Sequence, residues 1–351
     1  MPTVTLGVDA HKRSHTVVAV DAVGKKLAAK TVPSTSIGHA AALSWARVQF
    51  GVDLVWGIED CRSMTARLER DLMAANQIVV RVPPHLMSRS RASSREPGKS
   101  DPIDALAVAR AVLREPDLPR AAHDETSFSL KLLVDRRDDL VTIRRGMISR
   151  LLDRVHALDP THVNPTNWDR AKVRADLHTW LAQHTGLIAE LARAELDDID
   201  RLTAQIVALT ERLTHLINQV APRLLAKPGV GPLSAAKIVA ETAGVERFKS
   251  EAAFARYVGA APTPNWSGGQ TPTGRRLQPS RRGNRQLNSA LHRIAVVQIR
   301  LKDCPGRDYV ERRVAEGDTK SQAIRSLKRR LARVVYQALI EDRALTNQVA
   351  A

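Results

Sequence analysis

The chain has 351 residues, 54 of them Lys or Arg against 37 Asp or Glu, for a formal net charge of +17. That length supports two or three domains with cores of their own, and a hydrophobic share of 43% excludes wholesale disorder. So strong a positive field attracts polyanions, and nucleic acid is the commonest one a soluble protein meets. A membrane-surface role needs a basic amphipathic anchor or a lipidation motif, and the sequence carries neither.

Cys61 and Cys304 stand far apart, with no CxxC and no Cys/His cluster. This argues against a disulfide framework and structural zinc, and fits a reducing compartment. The chain reaches Asp9 before any apolar run of signal-peptide length, and no run of about 18 apolar residues follows. The expectation is a cytoplasmic protein with no membrane association.

Residues 1–120 alternate between the periodicities of strand and helix. Residues 3–8 and 16–20 are short β-branched runs, and 25–32 can add a third strand to the same meander. A helix is predicted over 39–50, a strand over 54–58, a helix over 63–76, and a strand over 78–82 before Pro83 and Pro84. Strands joined by helical crossovers imply an α/β layer with a mixed sheet. Residues 88–100 are polar and basic and read as a loop. Asp101 followed by Pro102 suits a helix N-cap with proline at the first helical position, and that helix should run through Leu113 and stop before Pro116.

Residues 121–221 change character. Val141, Ile148, Leu151, Val155 and Leu158 fall mostly at heptad spacing. Ile199, Leu202, Ile206, Leu209, Leu213, Leu216 and Val220 alternate three and four apart without a break. As one helix, residues 188–220 would be roughly 50 Å long at about 1.5 Å per residue. A seam of that length suits a helical hairpin or a dimerising coiled coil, and a helix packed on its own domain is the plainer alternative. Residues 222–351 form a third, mainly helical unit with Gly- and Pro-rich loops around 259–283. From Ala252 to Lys302 there are nine basic residues and no acidic ones. The fold class is therefore α/β followed by all-α.

Four carboxylates stand where a metal-dependent nuclease needs them. Asp9 ends the first strand, Glu59 ends another, and Asp101 and Asp104 are three apart at a helix start, on one face. Hard oxygen ligands of this kind suit Mg2+, with Mn2+ as a substitute, and two such ions can serve phosphoryl transfer. Each acid alone is more often a turn residue, a cap or a surface charge. Their joint order is what points to a site.

The C-terminal unit carries two further features. Pro228-Gly229-Val230-Gly231-Pro232 between apolar helical segments looks like a helix-hairpin-helix turn, in which Gly229 and Gly231 would expose backbone N–H groups to a phosphate. A structural helix-turn-helix has the same look. Trp266-Ser267-Gly268-Gly269-Gln270 follows, where glycines free the backbone around a hydroxyl. Arg275, Arg276, Arg281, Arg282 and Arg285 come shortly after and can neutralise phosphate. A basic patch without catalysis would also explain these arginines.

The ordered set resembles a known family. The strings Gly7-Val8-Asp9-Ala10-His11-Lys12, Gly57-Ile58-Glu59 and Lys99-Ser100-Asp101-Pro102-Ile103-Asp104-Ala105 resemble the DEDD transposases that use a bridge RNA, and the related Piv-type DNA invertases. Those proteins have a RuvC-like, ribonuclease-H-related nuclease fold. The Pro-Gly-x-Gly turn, the Ser-Gly loop and Arg282-Gly283-Asn284-Arg285 resemble the same family's C-terminal domain. The resemblance implies a RuvC-like domain over 1–120, a coiled-coil oligomerisation region over 121–221 and a serine-bearing transposase domain over 222–351. It implies metal binding by Asp9, Glu59, Asp101 and Asp104, and a DNA-linked nucleophile at Ser267. The implied partners are DNA, a structured non-coding guide RNA, and further copies of the chain as a dimer or tetramer. Trp266 departs from the small or polar residue usual before the loop serine, which leaves its part open. Two rivals share these features: a RuvC-like nuclease or invertase without a guide, and a non-catalytic nucleic-acid-binding protein.

Overall fold

The computed structural model describes residues 3–59, 62–83, 86, 101–115, 118, 120–121, 125–261, 263–264, 277–278 and 283–350. The chain divides into two compact units. One comprises Met1–Asp124, Ala243–Asn288 and Thr319–Tyr336, and the other Glu125–Thr242, Ser289–Asp318 and Gln337–Ala351.

In the first unit, β1 (Val4–Ala10), β2 (Ser14–Val20) and β3 (Lys26–Pro33) form the antiparallel meander expected from their β-branched runs. Helix α1 (Ser36–Phe50) crosses over to β4 (Leu54–Glu59), and α2 (Arg62–Ala74) crosses to β5 (Ile78–Val82). Both of these strands are parallel to β1, so the sheet is mixed, in the order β3-β2-β1-β4-β5. Helix α1 begins three residues earlier than its periodicity predicts, because the Thr35 side chain caps it by accepting from the Gly38 N–H at 3.2 Å.

Alternation divides the strand residues between two layers. Leu6, Val8, Trp56 and Ile58 pack on one face with Leu43 of α1 and Leu68 and Leu72 of α2. The other face carries helix α3 (Asp101–Arg114), whose Ala105 and Ala109 meet Val18 and Val20 and whose Val108 meets Val82. Small residues on both sides bring α3 unusually near the strands. Gly7 and Gly57 are partners in the parallel β1–β4 register. A Cβ on Gly7 would lie 2.1 Å from the Ala105 carbonyl oxygen, and one on Gly57 would lie 2.5 Å from Val112 Cγ2.

In the second unit, α4 (Glu125–Leu158) and α6 (Leu187–Val220) run antiparallel. Arg137 meets Thr210, Arg144 meets Thr203 and Arg154 meets Glu195, each at 3.0 Å or less. Leu140 packs with Leu202 and Ile206, and Leu151 and Val155 with Leu196 and Ile199, so part of the heptad-spaced set is buried between these helices, whereas Val141, Ile148, Leu216 and Val220 are only half-buried. Helix α5 (Ala171–Leu181) adds Leu177 and Leu181 to the latter cluster. The C-terminal third, divided between the two units, supplies α7 (Pro222–Leu225), α8 (Pro232–Thr242), α9 (Glu251–Tyr257), α10 (Arg285–Arg300), α11 (Pro305–Ala315) and α12 (Lys320–Ala350). No helix among the described residues is long and apolar enough to cross a membrane.

The glycine pair yields a stability prediction. Gly7→Ala must displace backbone, so it should destabilise the protein by at least about 2 kcal/mol in denaturant unfolding. Gly57→Ala meets a side chain and should cost less. Equal and small losses at both positions would show that α3 is free to shift.

A second prediction concerns pH. His15 on β2 is buried and stacks on His39 of α1 with ring centroids 5.1 Å apart, while His39 Nδ1 lies 2.6 Å from Asp71 Oδ2. Burial, reinforced by the charges of His39 and His11, lowers the His15 pKa from 6.5 to about 4. Above pH 6.5 both folded and unfolded states hold a neutral imidazole, so the group contributes no pH dependence. Between pH 6.5 and 4 the unfolded chain takes up a proton that the folded one resists, and stability falls as pH drops, by up to roughly 3 kcal/mol. His15→Leu should flatten that part of the curve of urea midpoint against pH. The same slope in both proteins would assign the acid lability to other groups.

Candidate metal centre and nucleic-acid interface

The sheet and α3 together decide where the predicted acids go. Val8 is the register partner of Ile58, so Asp9 and Glu59 come next on neighbouring parallel strands and emerge on the same, α3-facing side. Asp101 and Asp104 occupy the first turn of α3. The contact of α3 with the glycine pair sets that turn beside the end of β1. Asp9 and Asp104 are buried, Glu59 is half-buried, and the Asp101 side chain is 54% exposed.

The electrostatics report how close these groups are. The Asp9 carboxyl is pushed above its ordinary value, first by burial and then by the charges of Asp104 and Asp101, with His11 acting in the opposite sense. His11 Nε2 stands 3.1 Å from Asp9 Oδ2 and 3.3 Å from Asp101 Oδ1. One ligand atom from each of Asp9, His11 and Asp101 lies within 4.8 Å of the others. Glu59 stands on the same face but outside this tight group, and Asp104 adjoins it. His11 belongs to the same motif as Asp9, and the sequence alone assigns it no role. Its signal is proximity, since it follows Asp9 by two residues in the turn after β1, where its N–H donates to the Ser14 carbonyl at 2.9 Å.

These donors fit a hard divalent cation. Carboxylates supply the anionic oxygens that Mg2+ or Mn2+ prefers, and a cation would offset the burial and the like-charge repulsion that raise the Asp9 pKa. This makes Asp9, His11 and Asp101 a candidate metal site, with Asp104 beside it.

The C-terminal features are only partly described. The turn joining α7 to α8 puts Gly229 at φ +75°, and a Cβ there would lie 3.0 Å from Gln298 Cγ and 3.2 Å from the Ile294 carbonyl oxygen. Gln298 Nε2 donates to the Pro228 carbonyl at 2.7 Å. Gly229 therefore packs the turn onto α10, whereas the position of a Cβ on Gly231 faces open space. Helix α8 is tied to α4 by Lys237 with Asp138, and by Glu241 with Lys131 at 3.0 Å. Arg285 starts α10 and is exposed, and Asn284 before it accepts from the Leu287 N–H at 3.0 Å. Trp266, Ser267, Arg275, Arg276, Arg281 and Arg282 lie outside the described residues, as does the loop read at 88–100.

Residues 221–311 match the model of the transposase IS116/IS110/IS902 family, and residues 6–160 match that of the DEDD transposases of IS110 type. The chain belongs to this transposase family. It is similar to a 44.8 kDa protein of insertion element IS116 from Streptomyces clavuligerus, 26% identical over 97% of this chain and 96% of that one. It is also similar to a 42 kDa protein of insertion element IS900 from Mycobacterium paratuberculosis, again 26% identical over 97% and 96%. Among solved structures, Thermus thermophilus RuvC in complex with a Holliday junction substrate aligns with 34% of this chain and 99% of its own, at 13% identity and a TM-score of 0.27.

Cation binding makes the site testable without an activity assay. Saturating Mg2+ or Mn2+ should raise Tm by roughly 2–5 °C, because a ligand that binds only the folded state stabilises it. The rise should vanish in Asp9→Asn/Asp101→Asn. An equal rise in that variant would put the ion elsewhere.

Proposed function

We propose that this chain is an insertion-element transposase that cuts and rejoins DNA strands at a divalent-metal site formed by Asp9, Glu59, Asp101 and Asp104. The observation that carries the reading is the meeting of Asp9, at the end of β1, with the acidic first turn of α3. Bound Mg2+ or Mn2+ would supply Lewis-acid activation of the attacking oxygen and charge stabilisation of the leaving one. Asp9 and Asp104 hold buried, fixed donors, and Asp101 presents its carboxylate towards solvent, where a phosphodiester can approach. His11 spans Asp9 and Asp101 and orients both.

The finer reading follows the family. Residues 1–120 act as the RuvC-like nuclease domain, 121–221 as the coiled-coil and oligomerisation region, and 222–351 as the transposase domain. Ser267 is the nucleophile whose hydroxyl oxygen attacks a DNA phosphorus, leaving one strand end esterified to the protein and the other free. Serine is weakly nucleophilic at its ordinary pKa and needs help; Arg275, Arg276, Arg281, Arg282 and Arg285 neutralise the charge that develops. A structured guide RNA pairs with donor and target DNA, and protomers of a dimer or tetramer share the work in the cytoplasm. Membership of the transposase family and the basic, acid-free stretch from Ala252 to Lys302 support this reading.

Two substitutions test the proposal. Asp104→Asn should abolish Mg2+-dependent strand cleavage while leaving DNA affinity within about twofold, since one acid inside the cluster adds no contact to phosphate. Ser267→Ala should likewise bind DNA, one hydroxyl being worth only about 1 kcal/mol of net hydrogen bonding, yet lose any covalent protein–DNA adduct trapped by denaturation. Full cleavage by the first variant would remove the metal role, and an adduct formed by the second would move the nucleophile to another residue.

A further inference from the structure

Helix α12 carries a charge pattern that the fold alone does not account for. From Thr319 to Ile340 there are six Lys or Arg and no acid. Its inner face is apolar, with Ala323, Leu327, Leu331 and Val335 buried at successive turns. The opposite face exposes Arg325, Arg329 and Arg333, spaced by four and so aligned over about 12 Å of helix. Arg330 is exposed beside them. A helix face that meets only water ordinarily mixes signs, and like charges four apart destabilise a helix. Here Arg325 and Arg329, and Arg329 and Arg333, form two such pairs. Lys328, half-buried behind the stripe, has its pKa lowered by burial and by the charge of Arg325. Against these cations stands the surface pair of Arg333 with Glu251 at 3.3 Å, which is solvent-screened and weak.

The stripe also has an anchored position. Lys328 Nζ donates to Asn288 Oδ1 at 2.5 Å, and the Asn288 amide donates to the carbonyls of Val258 and Gly259 at 3.0 and 3.1 Å. The Asn284 N–H donates to the Tyr257 carbonyl at 2.8 Å, and Gly283 sits so tightly on Gly259 that a Cβ there would lie 2.6 Å from the Gly259 Cα. Helix α12 is therefore locked, through Lys328, to the point where residues 259 and 283 are held together.

We infer that the exposed face of α12 bearing Arg325, Arg329 and Arg333 binds the phosphate backbone of duplex DNA. The arginines are collinear, as contact with successive phosphates of one strand requires, and the stretch they span offers no exposed aromatic ring, since Tyr336 is buried. Recognition of single-stranded RNA or DNA uses stacking on such rings, whereas duplex backbone contacts need only aligned cations. The inference rests on the transposase reading for the identity of the polyanion, and assigns the surface that holds it.

The test measures affinity of the full chain for two 30-base-pair duplexes of unrelated sequence, across a range of salt. Arg325→Gln/Arg329→Gln/Arg333→Gln should lower the slope of log affinity against log salt by about 3, close to one per lost phosphate contact, on both duplexes alike. The corresponding triple Arg→Lys protein should regain most of that slope, which a structural role of the guanidinium groups would not allow. Thermal stability of the Gln protein should be unchanged or higher, because repulsion is removed. An unchanged slope on both duplexes, or a loss confined to a single-stranded oligouridine probe, overturns the inference. Asp104→Asn should keep the full slope. Wild-type protein that shows the arginine-dependent slope but never cleaves DNA would sink the transposase reading alone, and a cleaving protein whose slope ignores the arginines would sink this inference alone.

Discussion

Helix α3 can lie directly on strands β1 and β4 because Gly7 and Gly57, partners across the parallel register, carry no Cβ to hold it off. The helix contributes small residues to the same contact, Ala105 and Ala109 over the strands. Close packing of this kind fixes position tightly, since interiors resist even one extra methyl group. The acidic first turn of α3 is therefore placed relative to the end of β1 by backbone-to-backbone contact and not by a flexible side chain. A catalytic constellation needs placement of that quality.

Two regions of the molecule gather like charge. At the end of β1 it is carboxylates, and the upward shift of the Asp9 pKa records what burial and the neighbouring Asp104 and Asp101 cost. On α12 it is arginines, and the lowered pKa of Lys328 records the same in opposite sign. In each place a ligand of the other charge would offset the repulsion, a divalent cation in the first and a polyanion in the second. A metal ion and a phosphodiester are the two things a strand-transferring enzyme must bring together, so the two regions are chemically complementary.

The helical unit handles its charges differently. Its long helices pair Arg137 and Arg144 with threonine hydroxyls, Arg154 with Glu195, and Lys237 with Asp138. Each of these four cations has an acceptor within the unit. The contacts of Arg137, Arg144 and Arg154 fix the sliding register of two helices whose apolar seam alone repeats every turn or two.

Local periodicity determined a good deal by itself. The β-branched runs marked the strands, the Asp101-Pro102 pair marked the start of α3, and the unbroken three-four spacing from Ile199 to Val220 marked α6. The order of acids along the chain pointed to the transposase family. Composition foresaw a polyanion partner. What no local pattern holds is which element neighbours which. That β4 pairs with β1, putting Glu59 on the side of Asp9, depends on a parallel register between residues about fifty positions apart. That His11 bridges Asp9 and Asp101, and that Gly229 is spent on packing against Gln298, depends on distant segments arriving beside them. Spacing along a chain fixes the face from which a side chain leaves its own element. Only tertiary packing, through steric fit and paired hydrogen bonds, decides what that face meets.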